Sequence, residues 1–167
     1  RGFSVTIPHK VEAMQGVDEV DGIARGIGCI NTVVNDGGRL TGYNSDGLGA
    51  LGALRDAGAD PRGTRTVILG SGGAARAIAV TIAAESPPAE LTILGVVPDE
   101  LERLVGDVRQ RGKAAVAGAA LTPTSLQAAL ADADLLLHCS PIGMHPKEDE
   151  SLVPKPLLRP GLVVFDA

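Results

Sequence analysis

Aromatic side chains are almost missing: two Phe, one Tyr and no Trp make up 2% of the 167 residues. A core of ordinary size must then be assembled from Val, Ile, Leu and Ala, the composition of parallel strands covered on both faces by helices. The apolar fraction of 44% is enough for such a core, so the chain need not be disordered. Cysteine is scarce as well. Cys29 and Cys139 are too few for a disulfide framework, and their spacing matches no zinc site. A reducing cytoplasm is the expected compartment. No run of Lys or Arg stands out and the net charge is -5, which argues against a nucleic-acid or anionic-membrane partner. No apolar stretch approaches the roughly 18 residues that a membrane span needs. An anionic small molecule would have to be met by local donors, since there is no global positive field.

What is present is a regular alternation. Residues 3–7 read as a strand ended by Pro8, and 9–26 as one or two short helices broken near Gly16 and closed by Gly26 and Gly28. Strand 29–34, the turn Asn35-Asp36-Gly37-Gly38 and strand 39–43 predict a β-hairpin. A helix over 47–57 follows, with Leu48, Leu51 and Leu54 at helical spacing and Ser45 or Asp46 available as cap. After Asp60-Pro61-Arg62-Gly63 the pattern becomes β and α in turn. Strands are predicted at 65–69, 91–94, 114–117, 134–138 and 162–166, and helices at 73–85, 98–111, 123–131 and 154–158. Short connections between alternating elements mean a parallel, doubly wound sheet. The expected division is 1–46 as part of a substrate-binding and catalytic domain, 47–60 as a connecting helix, and 61–167 as an incomplete Rossmann domain. Both ends read as cut, so a fragment of a longer protein is expected.

Three segments carry candidate chemistry. Gly70-Ser71-Gly72-Gly73-Ala74-Ala75-Arg76 follows the strand Thr66-Val67-Ile68-Leu69 and opens a helix, and its Gly70, Gly72 and Ala75 fit G-x-G-x-x-G/A. Glycines let backbone amides approach a pyrophosphate, and the positive end of the helix favours its charge. Val5-Thr6-Ile7-Pro8-His9-Lys10 places a basic residue at a helix start; taken alone, Lys10 reads as a solvated lysine. Asn31-Thr32 and Asn44-Ser45-Asp46-Gly47 flank the hairpin, which brings its two ends together, although each residue alone reads as a cap or a turn.

In this order the segments resemble the shikimate dehydrogenase family, including its shikimate/quinate members. The matching residues are Val5-Thr6-Ile7-Pro8-His9-Lys10, Asn31-Thr32-Val33, Gly42-Tyr43-Asn44-Ser45-Asp46-Gly47, Gly70 to Arg76, and Ser140-Pro141-Ile142-Gly143-Met144. The resemblance implies an α/β fold, a Rossmann-type doubly wound parallel sheet with a remnant of an α/β substrate-binding domain. It implies reversible reduction of 3-dehydroshikimate to shikimate with NADP, in aromatic amino-acid (chorismate) biosynthesis. It makes Lys10 the acid/base and Asp46 its catalytic partner at the substrate hydroxyls, with Thr6 and Asn31 as further substrate-binding groups. It puts Gly70, Ser71, Gly72, Gly73 and Ala74 under the pyrophosphate, the Ser140–Met144 loop beside the nicotinamide, and Ala167 on the cofactor side. The expected partner is a small molecule, shikimate or 3-dehydroshikimate, with no nucleic acid, membrane or metal; oligomeric state is not readable.

The chain also departs from the family. After strand 91–94 the relatives that use NADP carry Asn-Arg-Thr, and here stands Gly95-Val96-Val97. No acidic residue takes the NAD ribose at the strand end, and Asp99 and Glu100 follow slightly later. NAD is therefore the alternative cofactor, and an NAD-dependent quinate/shikimate dehydrogenase or a non-catalytic nucleotide-binding relative are the alternative functions. Arg76 is expected to compensate for the missing cation if its side chain reaches across. Ser4 and His138-Cys139 replace more usual residues. His138, His9 and His145 read as packed residues and Cys139 as a small buried one. Substrate-binding groups that relatives carry outside these residues are not found here, so the fragment alone is expected to be a poor enzyme.

Overall fold

The computed structural model describes residues 1–6 and 9–167. The expected end of the first strand at Ile7 and the helix-starting Pro8 lie outside the described residues. Two sheets organise the rest. The smaller has the order β1-β3-β4-β2, built from β1 (Gly2–Ser4), β2 (Glu19–Val20), β3 (Thr32–Asp36) and β4 (Arg39–Tyr43). β3 and β4 form the expected antiparallel hairpin, with Thr32 opposite Tyr43 and Asp36 opposite Arg39. Gly37 and Gly38 turn it at φ 60° and 100°, angles that glycine adopts without a steric penalty. The stretch before the hairpin differs from its expectation. Helix α1 (Lys10–Ala13) runs into a 3-10 turn, Met14–Gly16, then the two-residue strand β2, then α2 (Gly22–Ile27). β2 is too short for alternation to reveal it; it exists because it pairs in parallel with β4. Asp21 caps α2 through the amides of Ile23 and Ala24, and Gly28 at φ 84° ends it.

The larger sheet is wholly parallel, with the order β7-β6-β5-β8-β9. Its strands are β5 (Arg65–Leu69), β6 (Glu90–Gly95), β7 (Ala115–Ala120), β8 (Leu135–His138) and β9 (Val163–Asp166). Between them run α4 (Gly73–Glu85), α5 (Pro98–Arg111) and α6 (Pro123–Leu130), with a 3-10 turn at Lys155–Leu157. The period of two in the strands serves both faces. Ile68, Leu91, Ile93, Leu135 and Leu137 pack with α4 and α5, while Val67, Leu69, Leu94 and Leu136 pack with Leu126 and Leu130 of α6. No aromatic side chain belongs to the fully buried core, as the composition requires. The strand order reverses between β5 and β8, and ligands of open α/β sheets bind at such a reversal, beyond the carboxyl ends of the strands.

Helix α3 (Asp46–Asp56) joins the two sheets by lying across α4. Its buried residues are Gly47, Ala50, Leu51 and Leu54. Leu48, expected in the core on spacing alone, is 47% exposed, because the face that meets α4 is centred on the small residues Gly47 and Ala50. A Cβ on Gly47 would overlap Thr81 Oγ1 and the Ala77 carbonyl of α4, so this crossing is as close as two backbones allow.

Candidate active site

Lys10 opens α1, Asp46 opens α3, and Asn31 precedes β3. The hairpin draws them together: the Asn31 amide donates to the Tyr43 carbonyl at 2.9 Å. Lys10 Nζ donates to Asp46 Oδ2 at 2.8 Å. Asn31 Nδ2 donates to the other carboxylate oxygen, Oδ1, also at 2.8 Å. Each oxygen of Asp46 thus has its own donor. Asn31 is held in turn, since its Oδ1 accepts the Ser45 amide at 3.0 Å. Ser45 sits at the N-cap of α3 but makes no side-chain cap bond; its hydroxyl is taken by Asn31 at 3.1 Å, which corrects its expected role as cap. Beneath the group, Asn44 is buried, with Oδ1 accepting the Asp46 amide at 3.0 Å and Nδ2 donating to the Cys29 carbonyl at 3.3 Å. Asn44 was quoted within its motif but given no role of its own, and it is the residue that fixes the start of α3. The Lys10 side chain is 26% exposed and that of Asp46 43%, so a ligand can reach both.

Thr6 is exposed, and its carbonyl accepts the His9 amide at 2.9 Å. Val5 N donates to the Asn31 carbonyl at 2.7 Å, which sets residue 6 one step beyond the Asn31 backbone. Thr6 Oγ1 makes no hydrogen bond with Lys10, Asn31 or Asp46 among the described residues, so the structure brings three of the four substrate-side residues into direct contact.

The glycine loop lies where expected, between β5 and α4. Gly70 has φ 118°, and a Cβ there would come within 2.7 Å of the Cys139 carbonyl, so only glycine fits. Gly72 occupies the N-cap of α4 with no side-chain cap bond, leaving the first amides of a 13-residue helix for an external anion. Ser71, Gly72 and Gly73 line a cavity of about 510 Å³ together with Cys29 and Arg103. A second cavity, about 480 Å³, is lined by Ser45, Asp46, Ala74, Phe165 and Ala167. It connects the Lys10–Asp46 pair to the head of the glycine helix and to the end of β9. A larger cavity of about 800 Å³ runs along α5 and β7 beside Val96, away from Lys10.

At the end of β6 the loop offers no cation. Val96 is 75% exposed, and a side chain on Gly95 would meet Ser71 Oγ at 2.9 Å. Asp99 and Glu100 stand in the first turn of α5, and Glu100 also lines the cavity of Ser71–Gly73. Arg76 does not reach across to this loop, which corrects its expected compensating role. Its guanidinium donates to the carbonyls of Gly26, at 3.0 Å, and Ile27, and pairs with Asp107 of α5. It ties the end of α2 to the Rossmann helices.

Two histidines differ from their expectation. His9 and His145 are not packed: their side chains are 68% and 86% exposed. His138 is packed, at 14%, and it contacts Ser140 and Asp166. Asp166 escaped sequence reasoning because a strand-end aspartate carries no local signal. Cys139 is buried, and burial first, then Asp166, pushes its thiol up to about 12, which leaves it protonated and inert at neutral pH. Burial also raises the Cys29 thiol, with Lys10 opposing. Among the described residues no group of three or more His, Cys, Asp or Glu could hold a metal, and no helix is long and apolar enough to cross a membrane.

Residues 1–33 match the family model of the shikimate dehydrogenase substrate binding domain. A shikimate dehydrogenase (NADP(+)) of Dehalococcoides mccartyi is 41% identical over 167 residues, covering 100% of this chain and 58% of its own length. Among solved structures, shikimate 5-dehydrogenase from Listeria monocytogenes in complex with shikimate and NAD is 33% identical with a TM-score of 0.92, covering 99% of this chain and 59% of its own. A ligand-free 5-ketofructose reductase of Gluconobacter, also 33% identical, has a TM-score of 0.83 and covers 99% and 58%. The chain therefore spans somewhat under three-fifths of the relatives it matches.

Proposed function

We propose that this chain, homologous over its whole length to the shikimate dehydrogenases, carries the acid/base pair and the nucleotide platform of an NADP-dependent oxidoreductase that interconverts 3-dehydroshikimate and shikimate. Residues 1–46 belong on this reading to the substrate-binding domain, 47–60 connect, and 61–167 are the Rossmann domain. A reducing cytoplasm suits its two free cysteines. The observation that carries the proposal is the Lys10–Asp46 contact at 2.8 Å, in a carboxylate whose other oxygen is held by Asn31, facing a cavity shared with Ala74 and Ala167.

The chemistry suits these residue types. The nicotinamide supplies or accepts the hydride. Negative charge builds on the carbonyl oxygen as the ketone is reduced, and an ammonium within reach stabilises that oxygen and donates the proton. In the reverse direction the same nitrogen takes the proton back. Asp46 orients Lys10 and retains a second lone pair on each oxygen with which to accept a substrate hydroxyl, while Asn31 stops the carboxylate from turning. Thr6 and Asn31 supply short polar contacts for a polyol. The dinucleotide fits the glycine loop: Gly70 permits the close approach, and the uncapped start of α4 takes the pyrophosphate.

The absence of a cation at Val96 supports one second reading, the same reaction or quinate oxidation with NAD. Shikimate and quinate oxidation by the purified full-length parent of this chain, with NADP+ and with NAD+, tests both. Shikimate-dependent NADPH formation that disappears in Lys10→Ala is the expected result. Nucleotide binding without oxidation of either substrate would overturn the proposal in favour of a non-catalytic nucleotide-binding role.

A further inference from the structure

Three polar residues at the ends of β8 and β9 form a chain that the acid/base pair does not use. His138 Nδ1 lies 2.8 Å from Asp166 Oδ1. His138 Nε2 lies 2.8 Å from Ser140 Oγ. The Ile142 amide donates to the same Oγ at 3.3 Å. For a neutral ring beside an ionised Asp166 the donor and acceptor roles follow from the partners. An ionised carboxylate only accepts, so Nδ1 carries the ring proton of the neutral imidazole. Nε2 is then a bare acceptor, and the single proton of the Ser140 hydroxyl points at it.

The chain is anchored on both sides. His138 pairs with Asp166 in the β8–β9 register, and its carbonyl accepts the Ala167 amide at 3.0 Å. On the other side Leu69 of β5 lies opposite His138 and brings no charge. The ring is largely buried, whereas the Asp166 side chain is 79% exposed. Among the described residues Glu150 lines the same cavity as His138 and Asp166, and the Cys139 thiol belongs to the core on the other face of the sheet. The residue between His138 and Ser140 is Cys139, whose carbonyl abuts Gly70. The chain is therefore one peptide away from the glycine loop.

We infer that His138 is a positioning residue for the Ser140–Met144 loop: Asp166 fixes its tautomer, Nε2 holds the Ser140 hydroxyl inward, and protonation of the ring releases that hydroxyl as a donor to bound dinucleotide. In the imidazolium both nitrogens carry protons. Nε2–H then donates to Ser140 Oγ, and the hydroxyl proton must leave the Ser140–His138 line. Two things change together beside the loop, one freed donor and one added positive charge. Both favour a dinucleotide phosphate, so nucleotide binding tightens when the ring takes up its second proton. The ligand half of this inference rests on the dinucleotide reading above; the hydrogen-bond half does not.

The test is nitrogen NMR of the imidazoles in the protein, with His138→Asn identifying the signal, beside NADPH binding measured across pH. The expected result is an Nδ1–H tautomer whose Nε2 resonance moves in Ser140→Ala, and an Asp166→Asn variant that populates Nε2–H. NADPH affinity should rise about three- to tenfold on protonation, the size of one hydrogen bond. That rise should vanish in His138→Asn and shrink in Ser140→Ala, where only the added charge remains, so that one of the two can fail to fold without loss of the test. An Nε2–H tautomer in the wild type, an Nε2 signal indifferent to Ser140, or a pH dependence retained in both variants would overturn the inference. Absence of NADPH binding in the wild type would instead overturn the dinucleotide reading, while the NMR would still decide whether the chain exists as described.

Discussion

Asn31 holds Asp46 by one oxygen, Nδ2 to Oδ1 at 2.8 Å, and so leaves the other to Lys10. The two contacts have different consequences when removed. Lys10→Ala deletes the proposed proton donor, and turnover of the full-length parent should fall by roughly 10²–10⁴, with a smaller change in KM. Asn31→Ala keeps the proton donor but frees the carboxylate to rotate. Its expected loss is about 10- to 100-fold, the worth of one hydrogen bond to a charged group. Steady-state kinetics of both variants and of the double mutant check this. A double mutant no worse than Lys10→Ala would mean that Asn31 acts only through the pair. Lys10→Ala with near wild-type turnover would remove Lys10 from the reaction.

Gly47 directly follows that carboxylate and carries the contact between α3 and α4. Gly47→Ala gains roughly 1 kcal/mol of helix propensity yet forces a methyl group against Thr81 Oγ1 and the Ala77 carbonyl. Overpacking of this kind costs about 1–3 kcal/mol, and because one obstacle is backbone the helices must separate. The expected outcome is a lower Tm together with reduced turnover, since α3 carries Asp46 with it. Among the described residues Thr81 Oγ1 is buried without a hydrogen-bond partner, so Thr81→Ala relieves half the clash and sacrifices no bond there. Adding it to Gly47→Ala should recover part of the lost Tm. No recovery would locate the strain wholly at the Ala77 carbonyl.

Asp60 sets an acid limit on the same helix pair. The Ser86 hydroxyl, then the Arg62 amide and the Arg55 side chain, hold its carboxyl down at about 2, from 3.8. A depressed carboxyl contributes stability above its unfolded value and loses it as pH falls through its folded value. The window is therefore pH 4 down to 2. The Asp60 side chain is 42% exposed, so solvent screening reduces the contribution to about 1 kcal/mol. Asp60→Asn should lower Tm at pH 7 and match the wild type near pH 2. A gap that persists at pH 2 would assign the effect to lost packing.

The Rossmann half was legible because its signals are local and repeated. Strands β5, β6 and β7, of five or six residues, are each followed by a helix of more than two turns, and Pro98, Thr122 and Pro123 mark helix starts. The first 45 residues were harder to read because their order comes from pairing across the chain. β2 has two residues and is a strand only through β4, and Leu48 is exposed only because Gly47 chose the buried face. Lys10, Asn31 and Asp46 were recognisable as a set by family motif, and the hairpin explains why they meet. Arg76 shows the opposite case. Its place at the start of α4 was readable, but the carbonyls of Gly26 and Ile27 that capture it come from about fifty residues earlier, and no spacing rule reveals such a contact. The chain from Ser140 through His138 to Asp166 was invisible for the same reason.

On the proposed reading, cofactor choice depends on what stands at the end of β6. A ribose 2′-phosphate gains charge-assisted, often bidentate contacts from arginine, and Val96, exposed at that position, makes none. A carboxylate for an NAD ribose cannot replace Gly95 either, because its Cβ would meet Ser71 Oγ of the glycine loop at 2.9 Å. Arg76 is committed to α2 and Asp107, Arg103 donates from Nε to the Asp99 carbonyl at 3.0 Å and shares its cavity with Glu100, and Arg109, which lines the cavity beside Val96, gives its guanidinium to the Val116 carbonyl. Discrimination between NADP and NAD should accordingly be weak, with NADP slightly preferred. Val96→Arg should shift the ratio of the two kcat/KM values toward NADP by about 1–3 kcal/mol, the range of a hydrogen bond to a charged group. Because Val96 is exposed and outside the core, the substitution should leave Tm within about 0.5 kcal/mol of the wild type in stability, so a change in the ratio reports on the ribose alone. Glu100→Gln should move the ratio the same way by a smaller amount, since it removes a negative charge from beside the loop. A ratio unmoved by both substitutions would mean that the end of β6 does not read the ribose and that the adenosine half lies elsewhere along the sheet.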